Sequence, residues 1–232
     1  MSEADPQHPL LTLGDLAKLA AEATAAIAAV HRRPVSLRRS DLTGAESVLR
    51  GARTSALIDD PATRLIDEPT GVLGSAISVY GLLAPDRLQT SAGIFGRAPL
   101  QILARMDVLS GGEGIPEDPS NTKRLHHLAT VITSESLPAA LLPQVVHGEI
   151  LGRQIFGERS GTIARAASRL AAVADGFDPR GLAVPEPYLS RHRGSYLETV
   201  ATFDQNPVAF MELGLRSWIA GAQEAESIAR AV

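Results

Sequence analysis

The stretch VVHGEILGRQIFGERSGTIARAASRLAAVADGFDPRGLAVPE, residues 145–186, decides the fold of this chain. It predicts a helix, a polar loop that contains glycine, and a second helix that begins at about Ser160. The first N–H groups of a helix have no partner within the helix, and they lie at the positive end of its dipole. A polar loop that leads into such a helix start suits an anion, most often a phosphate. The alternative interpretation is an ordinary turn between helices, with Ser160 as the N-cap.

The rest of the chain is also rich in helix-forming residues. Of its 232 residues 44% are hydrophobic but only 4% are aromatic, and Leu and Ala predominate over β-branched residues. No stretch alternates apolar and polar residues for long enough to predict a half-buried strand. We therefore expect an all-α fold with roughly nine or ten helices. The predicted helices cover residues 11–31, 43–58, 70–83, 99–110, 119–132, 138–152, 160–175, 187–203 and 206–231, with a short helix after Pro85.

A few of the predicted helix ends depend on specific signals. Thr43 and Glu46 have the spacing of a capping box at the start of the second helix. Pro61 is expected to end that helix, because a residue that precedes proline avoids helical dihedral angles. Pro119 suits the first turn of its helix, where the missing N–H group costs nothing.

The composition excludes several classes of protein. A chain without cysteine has no disulfides, no thiolate metal ligands and no Cys nucleophile. No apolar run approaches the ~20 residues of a membrane span, and the start MSEADPQHPLL does not look like an export signal. A net charge of −4 gives no general reason to bind nucleic acid, and the six Arg between residues 32 and 53 are interpreted as a solvated face. We therefore expect a soluble, cytoplasmic protein.

The segment 145–186 resembles the Fic (Fido) family. The signature of that family is a helix that begins with His, followed by HPF-x-(D/E)-G-N-G-(K/R)-x-x-R across a loop and into the next helix. His147 stands seven residues before Gln154, which is the spacing between the helix His and the motif His of the family. The motif Phe, acidic residue, second Gly and final Arg correspond to Phe156, Glu158, Gly161 and Arg165. The likeness extends over about residues 97–225 and is to a divergent actinobacterial branch.

The resemblance implies a Fic-like helical core over residues 61–232, with residues 1–60 as an N-terminal helical extension. Enzymes of the family transfer AMP to proteins. Their motif His removes a proton from a target hydroxyl, which then attacks the α-phosphate of a nucleotide. The position of that His is occupied here by Gln154, and an amide has no useful basicity near neutral pH.

The remaining motif residues resemble a cradle for a metal and a polyphosphate. In this comparison Glu158 is a candidate ligand of Mg²⁺, with phosphates and water supplying the other oxygens. The candidate contacts to nucleotide phosphates are Arg159, Ser160, Gly161 and Arg165. Arg159 and Ser160 depart from the family, which has Gly and Asn at these positions.

Residues 55–60, SALIDD, resemble the inhibitory helix of many Fic proteins, (S/T)-x-x-x-E-(G/N). The Glu of that helix pairs with the motif Arg and blocks the nucleotide. By analogy, Ser55 and Asp59 are candidates for a contact that closes the pocket, with Asp59 facing Arg165. The alternative is that Ser55 and Asp59 only mark the end of a helix. His147 is expected to be a hydrogen-bonded structural histidine rather than a substitute base.

Residues 110–120, SGGEGIPEDPS, lie where the family has a β-hairpin flap that docks target peptides. They contain Gly and Pro but no run of β-forming residues, so we expect a short ordered loop instead.

The sequence therefore predicts a degenerate Fic-domain protein, that is, a pseudo-enzyme or a regulatory or interaction protein that retains some binding of ATP or another nucleotide with Mg²⁺. One alternative is an active AMPylation-type nucleotidyltransferase with a different base or donor. Another is a sensor that binds and releases nucleotide without chemistry. The sequence does not identify a partner protein. The Leu- and Ala-rich helix faces would serve a homodimer as readily as a monomer core.

Overall fold

The computed structural model describes residues 8–65, 69–134 and 136–232. In these ranges it contains helices and no strand, so the prediction of an all-α fold is confirmed. The α-helices are α1 (Leu16–His31), α2 (Pro34–Arg38), α3 (Ser40–Asp59), α4 (Gly71–Tyr80), α5 (Leu88–Arg97), α6 (Pro99–Leu109), α7 (Thr122–Thr133), α8 (Leu142–Gly152), α9 (Ser160–Ala174), α10 (Glu186–Arg191), α11 (Arg193–Ala201) and α12 (Pro207–Ala231). Short 3₁₀ helices cover Pro9–Thr12, Gly81–Leu83, Pro119–Asn121 and Gly157–Arg159. Among the described helices, none combines the length and the apolar character that a bilayer span requires.

Helix α9 lies at the centre of the larger hydrophobic core. It packs along α8 and also contacts α3, α4, α5 and α6, so each of its residues from Ser160 to Val173 is buried. Its apolar side chains, such as Ile163 and Leu170, belong to the same cluster as Val146 and Ile150 of α8. A helix that is covered on all sides usually carries apolar residues throughout. Because α9 also carries two arginines, each buried guanidinium must find acceptors within the protein.

The N-terminal helices pack into both hydrophobic clusters. Leu16 and Ile27 of α1 lie against α12 in a second cluster that includes Trp218. Helix α3 contributes Ala52 and Ile58 to the larger cluster around α9. The described helices of residues 1–60 are therefore part of the packed body of the protein.

Ion pairs at the surface join the arginine-rich segment to the C-terminal helix. Arg33 forms two hydrogen bonds with the carboxylate of Glu226, at 2.8 and 2.5 Å. Arg50 pairs with Glu224 of α12 and with Glu46 on its own helix. Exposed pairs of this kind contribute little stability each, but they occupy two of the arginines between residues 32 and 53.

The predicted capping box at Thr43 is wrong. Helix α3 already begins at Ser40, and the Thr43 hydroxyl donates to the carbonyl of Arg39 at 3.1 Å. The Glu46 carboxylate accepts a hydrogen bond from Arg50 at 2.9 Å instead of reaching back to a helix start. The N-terminus of α3 lies three residues before Thr43, at Ser40, so Thr43 is not at a helix start.

Two predicted helices are interrupted in the structure. Gly14 has φ +49°, so the predicted helix 11–31 consists of a 3₁₀ turn and then α1. His192 separates α10 from α11 within the predicted helix 187–203. Its ring stacks on that of Tyr188 with centroids 4.1 Å apart and hydrogen-bonds the Tyr188 carbonyl at 2.9 Å. The hydrogen bond from the His192 side chain thus occupies the Tyr188 carbonyl near the end of α10.

The contact between α1 and α12 can be tested with a core leucine. Leu16 is 0% exposed, so Leu16→Ala leaves a cavity and is expected to lower the free energy of unfolding by about 2–5 kcal/mol. Leu37→Ala is the matched control, because Leu37 is 62% exposed and its truncation should cost less than about 0.5 kcal/mol. Urea denaturation followed by circular dichroism measures both values. Equal values for the two variants would contradict the packing of α1 on α12.

Candidate functional site

The loop between α8 and α9 has an unusual backbone. Gln154 has φ +50°, the one residue other than glycine with a positive φ among those described, and Gly157 has φ +57°. The positive φ of Gly157 favours glycine at this position, and a Cβ atom there would displace the exposed Glu117 side chain, whose Oε2 would lie 1.8 Å away. The Gln154 side chain is exposed, and its amide donates to the Leu151 carbonyl at 3.1 Å. The residue at the motif His position is thus turned back toward the end of α8.

Ser160 stabilises the loop in a different way from the predicted N-cap. It is fully buried, and its hydroxyl oxygen accepts a hydrogen bond from the N–H of Phe156 at 2.9 Å. The residue that precedes α9 is Arg159, whose side chain does not cap the helix. The interpretation of Ser160 as an N-cap is therefore wrong. The hydroxyl bonds to the preceding loop, where it fixes the backbone beside the buried Phe156 ring.

Arg165 is the central charged group of the site. Its side chain is 2% exposed, and its Nη2 atom lies 2.6 Å from Oδ2 of Asp59. Its Nε donates to the Ser55 hydroxyl at 2.9 Å, and Nη2 also reaches the Ser55 carbonyl at 3.2 Å. The Thr162 hydroxyl donates to the same Asp59 oxygen at 2.8 Å. The last turn of α3 therefore supplies the acceptors that a buried guanidinium needs, and Asp59 faces Arg165.

The Asp59 carboxylate also lies at the start of α9. A Cβ atom on Gly161, the second residue of α9, would be 2.5 Å from Oδ1 of Asp59. The first turn of a helix carries a partial positive charge, which a carboxylate stabilises. Gly161 thus permits the Asp59 carboxylate to approach the first turn of α9 closely.

Two further side chains continue the network into the core. Nη1 of Arg165 donates to the Tyr196 hydroxyl at 3.4 Å, and this hydroxyl lies 2.7 Å from Nε2 of His147. Burial, together with the charge of Arg165, lowers the pKa of His147 to about 3. Burial also raises the pKa of Tyr196 to about 12. Burial lowers the pKa of Arg165, but the Asp59 carboxylate together with Tyr196 and Tyr80 outweighs this effect, so the pKa is raised overall. Near neutral pH His147 is therefore a neutral, hydrogen-bonded imidazole without the basicity that proton abstraction requires.

Arg169 occupies the next turn of α9 and is equally buried. Its Nη2 donates to the Ser47 hydroxyl at 2.6 Å and to the Gly181 carbonyl at 3.0 Å. Its guanidinium lies 3.6 Å from Glu186 and 5.8 Å from the centre of the Tyr80 ring. These contacts connect α9 to α3, α4 and α10.

Arg159 has a partner within the protein. Its Nε donates at 2.8 Å to Oδ1 of Asp107, a fully buried carboxylate on α6 that also accepts the Gly114 N–H at 2.8 Å. A Cβ atom on Gly112 would lie 2.2 Å from Oδ2 of Asp107, so the chain can wrap around this carboxylate only with glycine there. In this structure the Arg159 side chain neutralises Asp107, and a phosphate would have to compete for it.

Residues 110–118 form an ordered loop without a strand, and this loop and the following 3₁₀ helix contact the α8–α9 loop. The N–H of Glu117 donates to the Ile155 carbonyl at 3.0 Å, and the Asn121 amide reaches the Arg153 carbonyl at 3.4 Å. A cavity of about 360 Å³ lies between residues 111–117 and Arg159. Glu158 is exposed, and the described residues contain no group of three or more His, Asp or Glu that could hold a metal ion.

Three residues that make contacts with the predicted site residues were not found from the sequence: Asp107, Thr162 and Tyr196. A weak signal existed for Asp107, because it lies four residues after Leu103 and next to Met106, both of which are buried. A charged residue on a buried helix face requires a partner. Nothing in the sequence indicates that Asp107 pairs with Arg159, which is 52 residues away.

A comparison with protein-family models gives no match for this chain, and none of the curated proteins matches it either. The resemblance to the Fic family is therefore a prediction from the sequence that these comparisons do not support.

The lowered pKa of His147 predicts a dependence of stability on pH. As the pH falls below about 6.5 the unfolded chain binds a proton at this residue, whereas the folded chain does not do so until about pH 3. The free energy of unfolding should therefore fall by roughly 2 kcal/mol between about pH 6.5 and pH 5 through this group. In His147→Gln this part of the pH dependence should vanish. His126→Gln, at an exposed histidine, should retain it. Urea denaturation at several pH values checks this, and an unchanged slope in His147→Gln would contradict it.

Proposed function

We propose that this chain is a degenerate Fic-like domain that lacks His-dependent AMP transfer and acts as a pseudo-enzyme in a regulatory or interaction role. The observation that carries the proposal is the Asp59–Arg165 pair at the start of α9. A site that transfers a nucleoside monophosphate needs an open anion cradle and a positioned base. Here the cradle contains a carboxylate of the chain itself, and the expected base is an exposed amide.

Residual nucleotide binding belongs to this proposal. If the last turn of α3 moved away, Arg165 and the N–H groups at Gly161 would be free to hold phosphate oxygens. Glu158 is exposed near the same helix start and would supply one oxygen to a Mg²⁺ ion that accompanies the phosphates. Arg159 would bind a phosphate only if its hydrogen bond with Asp107 is broken.

Removal of the Asp59 carboxylate tests whether this group blocks the proposed phosphate site at Arg165. Asp59→Ala, and Asp59→Asn as the more conservative change, should increase the affinity for Mg-ATP at least about tenfold, because an anion no longer has to displace a carboxylate. Isothermal titration calorimetry measures this affinity, and thermal melts confirm that the variants fold. Asp60→Ala is the matched control, since its carboxylate accepts from the Ala62 N–H and not from Arg165. The added Arg165→Ala substitution should abolish the gain. If both Asp59 variants bind like the parent chain, the closed cradle is wrong.

A transfer assay tests the absence of chemistry. The purified chain, incubated with labelled ATP, Mg²⁺ and a cell lysate, should label no acceptor above the level obtained without it, because no group of useful basicity replaces the motif His. Gln154→His restores that residue and should permit labelling only together with Asp59→Ala. Labelling by the parent chain that is lost in Gln154→Ala or Glu158→Ala would refute the pseudo-enzyme and favour the alternative, an active nucleotidyltransferase. The burial of His147 and its lowered pKa argue against that residue as the base of such an enzyme.

A further inference from the structure

A cavity of about 590 Å³ lies between the start of α3, the connection from α4 to α5, and Arg180. This volume falls within the ~300–1,000 Å³ of ordinary ligand pockets, and it equals the liquid volume of roughly 20 water molecules. The apolar part of the lining includes Leu42, Leu83 and Leu88. The residues that surround Arg165 do not line it, so this cavity is separate from the site at the start of α9.

Packing within the chain holds the walls of the cavity in place. Helix α3 approaches the α4–α5 connection closely, because a Cβ atom on Gly44 would lie 3.1 Å from Cγ of Pro85. On α5, the side-chain amide of Gln89 donates to the Pro179 carbonyl at 3.0 Å, which joins this helix to the residue before Arg180. An occupant would therefore not have to order these segments on binding, and that cost would not reduce its affinity.

Arg180 contributes a fixed positive charge to the lining. Its Nε donates to Nδ1 of His31 at 2.9 Å, Nη1 donates to the Ser36 carbonyl at 2.7 Å, and Nη2 donates to the His31 carbonyl. These bonds use three of the five N–H groups of a guanidinium. Within the described residues Arg180 forms no ion pair with a carboxylate, and Asp178 pairs with His31 instead, at 2.6 Å. A half-buried, immobilised guanidinium with N–H groups to spare suits a ligand carboxylate.

Two carboxylates line the same cavity. Asp41 lies in the first turn of α3, whose dipole it also stabilises, and Asp86 lies in the connection before α5. Neither forms an ion pair with Arg180 in the part of the chain that the structure describes. Asp86 lies 3.7 Å from Nε of the neighbouring Arg87, but both side chains are exposed, so this pair is weak. Charges of both signs therefore line the cavity without neutralising each other directly.

We propose that this cavity binds a short apolar peptide with both termini free, of about the size of a dipeptide. Its terminal carboxylate would pair with Arg180, its terminal ammonium with Asp41 and Asp86, and its aliphatic side chains would contact the leucines of the lining. A ligand with negative charge alone would be repelled by the two carboxylates, and one with positive charge alone would leave Arg180 without a partner. A single amino acid would fill only part of the volume, whereas a dipeptide of leucine has close to the roughly 20 non-hydrogen atoms that it holds. The inference is independent of the proposed function.

Titration of the ¹⁵N-labelled full chain, followed by two-dimensional NMR, tests the proposal. The probe is leucyl-leucine, and the two reference ligands are its N-acetyl derivative, which lacks the ammonium, and its C-terminal amide, which lacks the carboxylate. Leucyl-leucine should bind with a Kd of the order of 0.1–1 mM and shift the amide signals of residues 40–44, 86–89 and 180. Each reference ligand should bind at least about tenfold more weakly, because one charged group of the cavity then lacks its partner.

Variants of the lining assign the ammonium. Asp41→Asn combined with Asp86→Asn should weaken binding of leucyl-leucine at least about tenfold and should not weaken binding of its N-acetyl derivative. The matched control is Asp15→Asn combined with Asp118→Asn, which changes the net charge equally at residues outside the cavity and should have no effect. All four side chains are exposed, so folding is expected to persist and is checked by thermal melts. Arg180 stays unchanged because it also holds the end of α1, and the C-terminal amide of the probe reports on its role.

Several results would overturn the proposal: no binding of leucyl-leucine at millimolar concentration, equal binding of all three ligands, or equal binding by the parent chain and the double variant of the cavity. Signal shifts confined to residues outside the cavity would also contradict it. Each of these results leaves the Mg-ATP titrations of the Asp59 variants and the transfer assay unaffected. A failure of the peptide site is therefore distinguishable from a failure of the proposed function.

Discussion

The arrangement of the site depends on one requirement, the neutralisation of the buried Arg165. A guanidinium removed from water costs several kcal/mol unless an anion and further hydrogen-bond acceptors replace its hydration. Asp59 supplies the anion, and Ser55 and Tyr196 supply additional oxygens. Because Asp59 and Ser55 end α3, this requirement fixes the last turn of α3 against the start of α9. The neutral state of His147, beside Tyr196, is partly a consequence of the same positive charge.

The Asp59–Arg165 pair also opposes the binding of an external anion at the start of α9. A phosphate that approaches α9 must displace a carboxylate that is tethered to the chain, and a tethered group competes at an effective concentration in the millimolar range or above. Displacement would also break the hydrogen bond from Thr162 to Asp59. Helix α3 is further held by Arg193, whose Nε donates to the Ile58 carbonyl at 2.8 Å. The closed state is thus stabilised by contacts from both α9 and α11.

The sequence predicts those features that depend on neighbours along the chain. Leu- and Ala-rich stretches form helices here, and Pro99 marks a helix start as expected. Ser55 and Asp59 are four residues apart, so they share one helix face and can meet the same arginine. One error is local, because α3 begins at Ser40 and Thr43 lies inside it. Another arises from a distant contact, since Asp107 meets Arg159 through a chain reversal that no local pattern encodes.

The conformation of the α8–α9 loop is held by several hydrogen bonds besides the one from the Gln154 side chain to the Leu151 carbonyl. A positive φ outside glycine persists only where the surroundings enforce it. The N–H of Ile155 donates to Ile150, the N–H of Gly157 donates to the Gln154 carbonyl, and the N–H of Phe156 donates to Ser160. Backbone groups and one serine therefore hold the loop, while the Gln154 side chain remains exposed. The conformation of this loop is therefore compatible with an exposed amide side chain at position 154.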